Sequence, residues 1–560
     1  MVTINFHVDA FVTVGIDNDC DYDNLQDAYL DADLNIRATN EVSFTDSFEI
    51  NKPKIITGGY DSCSDAKNNE LGSLKSKWNG QNNGTTVQIN GNQPFTSLVA
   101  INNFEILNGE NIVFAGAGGI SIKGDSSVLL TNVDVYNNEG NEGGGIRVTG
   151  SDARLTITAT RIFENQATGF GAGVYCESGA VFNMLGDTAI HNNVATINGG
   201  GIFGNNDCQL DVRSGDTESN INTNLGIYAN TAVSGGGVYL QGGADMLLTG
   251  NDEHPAGVVF NLSTAEDGAG GGGIYMTGQG TTLNATNAKI ESNVANTFGG
   301  GFVVENFAEL KMQRNSTNCW NNDQCSSLSQ NFIVTETGEG AAGYISTSAV
   351  ADIGQSFLSG NQANFGTLFT VALGGSLRLE SNLMVNNGPI NNQVAEDLFS
   401  VFGVNQLGAQ IELIYNTITA NNAESIFYLD SSFTEVHINI FNSIIWQPGD
   451  MYVIEGLDPI SQVSCSVVKE PESLVGNIGL VSTQNPRFKN TALNDFHLLG
   501  DSSAVDLCDE TLFNSQYDDL NAQVRGVDTI NVVDNFGPYD AGAYEYLGQN
   551  NDIIFHSDFD

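Results

Sequence analysis

Basic side chains are what this sequence has least of: 19 Lys and Arg stand against 66 Asp and Glu, a net charge of −47 over 560 residues. Only Lys289 falls between Gly215 and Leu310, and no basic residue falls between Leu379 and Val468. Nucleic acids are bound through cations on phosphates, so nucleic-acid binding is disfavoured, as is a broad polyanion-binding surface. No apolar run approaches membrane-spanning length, so no transmembrane segment is expected. The Gly runs are never followed by Lys-Ser/Thr and open no helix, which excludes a phosphate loop. No CxxC pair occurs, and no Cys/His cluster has zinc-ligand spacing. The six histidines (His7, His191, His254, His437, His497, His556) are dispersed and form no HExxH. Proline is rare (9) while glycine is abundant (65), which suits a β-rich chain of many tight turns and few rigid breaks. The acidity itself fits solubility in a salty external medium.

What is present is one phrase repeated: VYNNEGNEGGGI, IFENQATGFGAGV, IHNNVATINGGGI, IYANTAVSGGGV and IESNVANTFGGGF. Its last residue marks Ile146, Val174, Ile202, Val238, Ile274 and Phe302, at intervals of 28, 28, 36, 36 and 28. Such self-similarity implies stacked coils, each contacting only its neighbours, so that length adds coils rather than radius. The two longer intervals carry the loop insertions RSGDTESN and NDEHPAG. Alternation after each Gly run turns Ile146 and Val148 inward, as it does Val238 and Leu240, Ile274 and Met276, and Phe302 and Val304. If successive coils run parallel, like residues stack about 4.8 Å apart. The fold class is therefore all-β, a parallel β-helix.

Two columns follow from the register. Asn138, Asn165, Asn193, Asn230, Asn293 and Asn361 form a candidate ladder, because stacked amides can bond each other and the turn backbone. Asn also tolerates the left-handed conformation of a sharp turn. Tyr175, Phe203, Tyr239 and Tyr275 share an outward position, with Arg147 before them and Val303 after. They are expected to form an exposed aromatic stripe able to bind sugar rings or a partner protein.

The segment DNLQDAYLDADL places Leu25, Ala28, Tyr29 and Ala32 at helical spacing with Asp23 as N-cap, a plug for the first coil. Residues 1–95 read as this cap with the first coils, 96–450 as the central repeats, and 451–560 as the last coils, a C-terminal cap and an acidic tail. Eight cysteines suggest an oxidising, secreted setting. Cys20 with Cys63 and Cys465 with Cys508 would tie down the ends; Cys176 and Cys208 lie one repeat apart; Cys319 and Cys325 bracket WNNDQ. The opening MVTINF has no basic or apolar leader region, and Met1 reads as a start added after signal-peptide removal.

The [IV]xxNxA…GGG[IVF] unit resembles the right-handed parallel β-helices of bacterial surface proteins, and is most similar to polymorphic outer-membrane protein repeats, with Ile162, Ile190, Ile227 and Ile290 where FxxN has its aromatic. The tail resembles the segment that closes many secreted β-helix proteins, NPxF…DFHLxxxSPAID then DxGAYE. Matching residues are Asn485, Phe488, Asp495, Phe496, His497, Leu498, Ser503, Ala504, Asp506, Gly542, Ala543, Tyr544 and Glu545; the Pro after Ser503 is missing. The terminal IFHSDFD is similar to the short ends of such proteins. The resemblance implies a right-handed β-helix, secreted or at the bacterial cell surface, in a family whose members are mostly adhesin-like or of unknown function.

Two function classes stand. The first is a non-catalytic surface or matrix scaffold or adhesin, whose partner is an extracellular glycan or surface protein. The alternative is a carbohydrate-active enzyme, a polysaccharide lyase or glycoside hydrolase. A lyase needs a base and a cation against a uronate, and Lys123 with Arg147, outward on neighbouring coils, is the one suggestive pair; two surface charges are the ordinary reading. No cofactor is required by either class, although Asp17, Asp19, Asp21 and Asp23 supply hard oxygen ligands that could hold Ca2+. The spacing lacks the Gly and terminal Glu of an EF-hand loop. An ice-binding face would need a regular Thr column, which is absent.

Overall fold

The computed structural model describes residues 10–548 apart from 32–34, 42, 46–47, 92–97, 214–225, 252–253, 267, 269, 315–325, 391–394, 404–407, 430–435, 448–451, 456–459, 470–476, 509–514 and 528–535. Met1, His7, Ala32, Cys319, Cys325 and the IFHSDFD end lie outside the described residues. The chain divides into two units, residues 1–248 with 257–264 and residues 249–256 with 265–560. Each is a parallel β-helix.

In the first unit a coil is built of short strands such as Ile146–Thr149, Arg154–Thr158, Arg161–Phe163 and Gln166–Phe170. Each pairs in parallel with its counterpart one repeat on. The markers fall in one file, Ile146 beside Val174, Val174 beside Ile202, and Ile202 beside Val238. Inward residues Ile146, Val148, Val174, Ile202, Val238 and Leu240 are fully buried, so the core is a column of aliphatic layers. The rungs begin early: Phe11–Val14, Asn35–Thr39, Lys54–Tyr60 and Val99–Asn102 pair in succession.

The helix between the first two rungs spans Leu25–Asp31 and buries Leu25, Ala28 and Tyr29. Its cap is Asn24 rather than Asp23: Asn24 Oδ1 accepts the Asp27 N–H at 2.8 Å. A second helix, Cys63–Asn68, is capped by Ser62 and tied to Cys20 by a disulfide. Further disulfides join Cys176 to Cys208 and Cys465 to Cys508.

The asparagine ladder is continuous within each unit. In the first, Nδ2 of Asn138, Asn165, Asn193 and Asn230 each donates to Oδ1 of the next, ending on Asn261, at 3.0–3.1 Å. In the second the series runs Asn293, Asn331, Asn361, Asn387, Asn421 at 2.8–3.2 Å. The ladder residue is not the one in the left-handed conformation. That is its predecessor, Asn137, Glu164, Asn192 or Ala229, at φ near 53°. A non-glycine residue there costs roughly 1–2 kcal/mol, offset by the amide bonds on either side. The Gly runs have two separate uses. Gly199 adopts φ 68°, whereas at Gly201 a Cβ would lie 2.6 Å from the next coil's Gly237 oxygen and 3.0 Å from Asn230 Nδ2.

The second unit has a marker file of its own, Ile274, Phe302, Gly343, Phe369, Phe399 and Phe427. The rings of Phe369 and Phe399 stand 6.0 Å apart, and those of Phe399 and Phe427 5.0 Å. The C-terminal segment does not simply stop up an end. After an antiparallel pair, Phe488–Asn490 with Asp495–Leu498, it runs back as a strap along the outside of earlier rungs. Ser515 Oγ and the N–H groups of Gln516 and Tyr517 bond Glu380. Gln355 donates to the Asp519 oxygen, Arg314 to that of Leu520, and the Gly542 N–H bonds the Asn442 oxygen. Phe496, Leu520, Ala543 and Tyr544 pack on Leu383 and Val385, which explains why that strand is buried on both faces.

Candidate binding surface

The expected stripe is stacked, but it is not a surface. Tyr175 and Phe203 lie 5.2 Å apart and 9° from parallel, Phe203 and Tyr239 5.3 Å and 11°. Yet Tyr175 is 4% exposed, Phe203 2%, Tyr239 8% and Tyr275 4%. The reason is the stretch leading into each Gly run. Glu142, Phe170, Asn198 and Ser234 form their own file outside the stripe, and the Phe170 ring packs 4.9 Å from that of Phe203. Tyrosine hydroxyls are spent on neighbouring carboxylates, Tyr175 on Glu177 at 3.1 Å and Tyr275 on Glu305 at 2.7 Å. An outward-pointing position is thus covered by the chain's own return.

Arg147 belongs to the same covered file. It bonds Glu142 at 3.1 Å and Glu177 at 2.5 Å and lies over the Tyr175 ring, so its charge is neutralised in place. Lys123 is exposed, and its register partner is Thr149, not Arg147. The two do not make a lyase pair. The aspartates near residue 20 are likewise engaged: Asp21 accepts from Thr13 N and Oγ1 at 2.8 and 2.9 Å, and Asp17 from the Cys63 N–H. Among the described residues no three His, Cys, Asp or Glu side chains converge as metal ligands, there or elsewhere.

A different file of rings is open to solvent. Tyr136, Phe163, His191 and Tyr228 occupy one register position on the strands Asp134–Tyr136, Arg161–Phe163, Ala189–His191 and Gly226–Tyr228. Their centroids stand 5.0, 5.1 and 4.6 Å apart with planes within 9°. All four are half-buried, and Leu107 and Val259 extend the file in either direction. Tyr136 donates to Glu105 at 2.8 Å. His191 keeps an unpartnered Nδ1, and burial, reinforced by the Arg161 charge, pulls its pKa down to about 4. The signal was in the repeated phrase itself, where VYNN, IFEN, IHNN and IYAN each place a ring directly after the aliphatic residue.

Acid is expected to move the two units in opposite directions. His191 is depressed to about 4 from 6.5, so its contribution is full above 6.5 and is lost as pH falls through that window. Glu545 in the strap is raised by burial to about 7, so its contribution is full below 4.5 and is lost as pH rises through 7. Hydrogen exchange followed unit by unit between these limits should show the first unit loosening and the second tightening on acidification. His191→Phe should flatten the first response, and Glu545→Gln should shrink the second, to which Glu339 and Asp397, also raised by burial to about 7, contribute; unaltered profiles in both variants would refute the assignment.

Compared with known proteins, the chain matches no protein-family model, and no curated sequence is similar to it.

Proposed function

We propose that this chain is a bacterial extracellular scaffold or adhesin that holds a surface protein against the open ring file of its first unit. The carrying observation is the stack Tyr136–Phe163–His191–Tyr228, a rigid apolar stripe half-exposed on a surface otherwise rich in acid. The disulfides support an oxidising, non-cytoplasmic setting. A net charge of −47 supports solubility there.

Ring geometry favours protein over glycan. Each face in the stack is taken by the next ring, so edges point outward, whereas a sugar ring packs on a face. Edges carry the positive end of the ring quadrupole and suit carbonyl, carboxylate and aliphatic groups of a partner. In a binding screen of extracellular proteins and glycans, the double change Phe163→Ser with Tyr228→Ser is expected to weaken the selected interaction at least ~10-fold. Circular dichroism should stay unchanged, since neither ring enters the core. Undiminished binding by the folded variant would remove this file as the contact surface, and capture by glycans alone would remove the protein partner.

A further inference from the structure

Glu339 and Asp397, both on the second unit, stand without the compensation that ion-paired acids receive. Glu142 and Glu177 face Arg147, Glu380 faces Arg378, and Glu545 faces Arg525. Among the described residues, Glu339 and Asp397 face no basic group. They are drawn together by three successive coils. Glu339 sits beside Phe365 in a parallel bridge. The next residue, Gly366, donates its N–H to Asp397 Oδ1 at 2.9 Å, and Ser400 Oγ donates to the same oxygen at 2.7 Å. Gly366 also passes Thr370 so closely that a Cβ there would lie 2.4 Å from Thr370 Oγ1.

Asp397 and Thr370 are wholly buried, yet Asp397 Oδ2 and Thr370 Oγ1 make no hydrogen bond of ordinary geometry. The Thr370 hydroxyl lies near enough to Glu339 to favour its ionised form, and the Glu339 charge acts in turn on Asp397. A buried acceptor left unpaired costs about 1–3 kcal/mol, and more when charged, so Asp397 Oδ2 beside a second carboxylate calls for a positive partner.

We propose that Asp397 Oδ2, Glu339 and Thr370 Oγ1 form a divalent-cation site, with Ca2+ as its ligand. Every donor is a hard oxygen, with no imidazole or thiolate, which selects Ca2+ over zinc. Mg2+ demands a stricter octahedron than two carboxylates on separate coils and one hydroxyl provide. Three protein groups leave the remaining positions to water, so the affinity belongs in the range of extracellular modules, about 10⁻⁴–10⁻³ M.

The test uses the whole chain at about pH 8 and ~0.15 M salt, where both carboxyls can ionise and surface attraction is screened. Calorimetric titration with Ca2+ alone should show one saturable site in the wild type, weakened at least ~10-fold in Asp397→Asn and in Glu339→Gln. Without metal, Asp397→Asn should melt no lower than the wild type, because it removes an unpaired buried charge while keeping the shape. In the wild type, millimolar Ca2+ should raise the melting temperature; in the variant it should not. Equal Ca2+ responses in wild type and both variants would place the ion elsewhere on the acidic surface and overturn the proposal. So would no binding by the wild type, or binding that Mg2+ matches.

Discussion

Arg525→Met is expected to cost the second unit about 3–5 kcal/mol and to release the strap to protease before the rungs unfold. Arg525 donates to the Gly542 and Ala543 oxygens at 3.0 and 3.1 Å and to Ser381 Oγ at 3.0 Å. Its guanidinium lies 4.2 Å over the Tyr415 ring, and Glu545 stands 3.6 Å away. Removing the cation leaves Glu545 buried with only the N–H groups of Gly526 and Val527, at 2.8 and 2.9 Å, to hold its charge. The double variant Arg525→Met with Glu545→Gln should recover part of the loss, since the orphaned charge goes too. Limited proteolysis read by mass spectrometry should find the first new cuts in 515–527 or 536–545, with the segment still tethered through Cys465–Cys508. A strap as resistant as in the wild type would show that the arginine does not secure it.

The second large effect is expected in the ladder. Asn193→Ala deletes an acceptor that serves both the N–H and Nδ2 of Asn165, at 3.0 Å each, and donors to the Ile162 oxygen and to Asn230 Oδ1. With these groups buried, a loss of about 3 kcal/mol follows from the atoms left unpaired. Because each coil interacts only with its neighbours, the damage should be local. Hydrogen exchange should rise at Asn165 and in the coils on either side, while Phe11–Val14 keeps its protection. The molecule supplies its own control. At another corner the series Asn382, Asn416 passes to Ser443, whose Oγ accepts the Asn416 N–H at 3.0 Å and donates to the Phe441 oxygen at 2.8 Å. Asn193→Ser should therefore retain roughly half of the loss. Uniform exchange across the first unit in Asn193→Ala would mean that the coils unfold as one block.

The register of the coils was legible because the markers sit directly after a close contact that only glycine permits. A slip by one residue would turn every aliphatic side chain outward. The ladder was legible where the phrase ran unbroken, and at Asn361, where NxA persists without GGG. Asn261, Asn331, Asn387 and Asn421 occupy coils whose wording departs from NxA…GGG, so spacing alone did not reveal them. Exposure was misread for a definite reason. Parity says which way Tyr175 and Tyr239 point, but not that the approach through Phe170 and Asn198 folds over them. The open file was overlooked because its residue type changes at each step, Tyr, Phe, His and Tyr, and the rings are then lost at Val259. In the second unit the strands from Leu383 on read LMV, TIT, IIW and SVV, with a ring only at Trp446, and LMV, TIT and SVV are buried at every position. That loss of alternation marks the rungs that the strap covers.

Within the second unit the sheet hydrogen bonds point along the stacking direction. A pull in that direction would load them one after another, and the weakest would open first. The strap alters this mechanics. It is anchored at Cys465–Cys508 and again at Asn442, Thr417, Glu380, Gln355 and Arg314, so it shares tension with the rungs beside it, as a splint does. In the surface role proposed above, that reinforcement would bear shear.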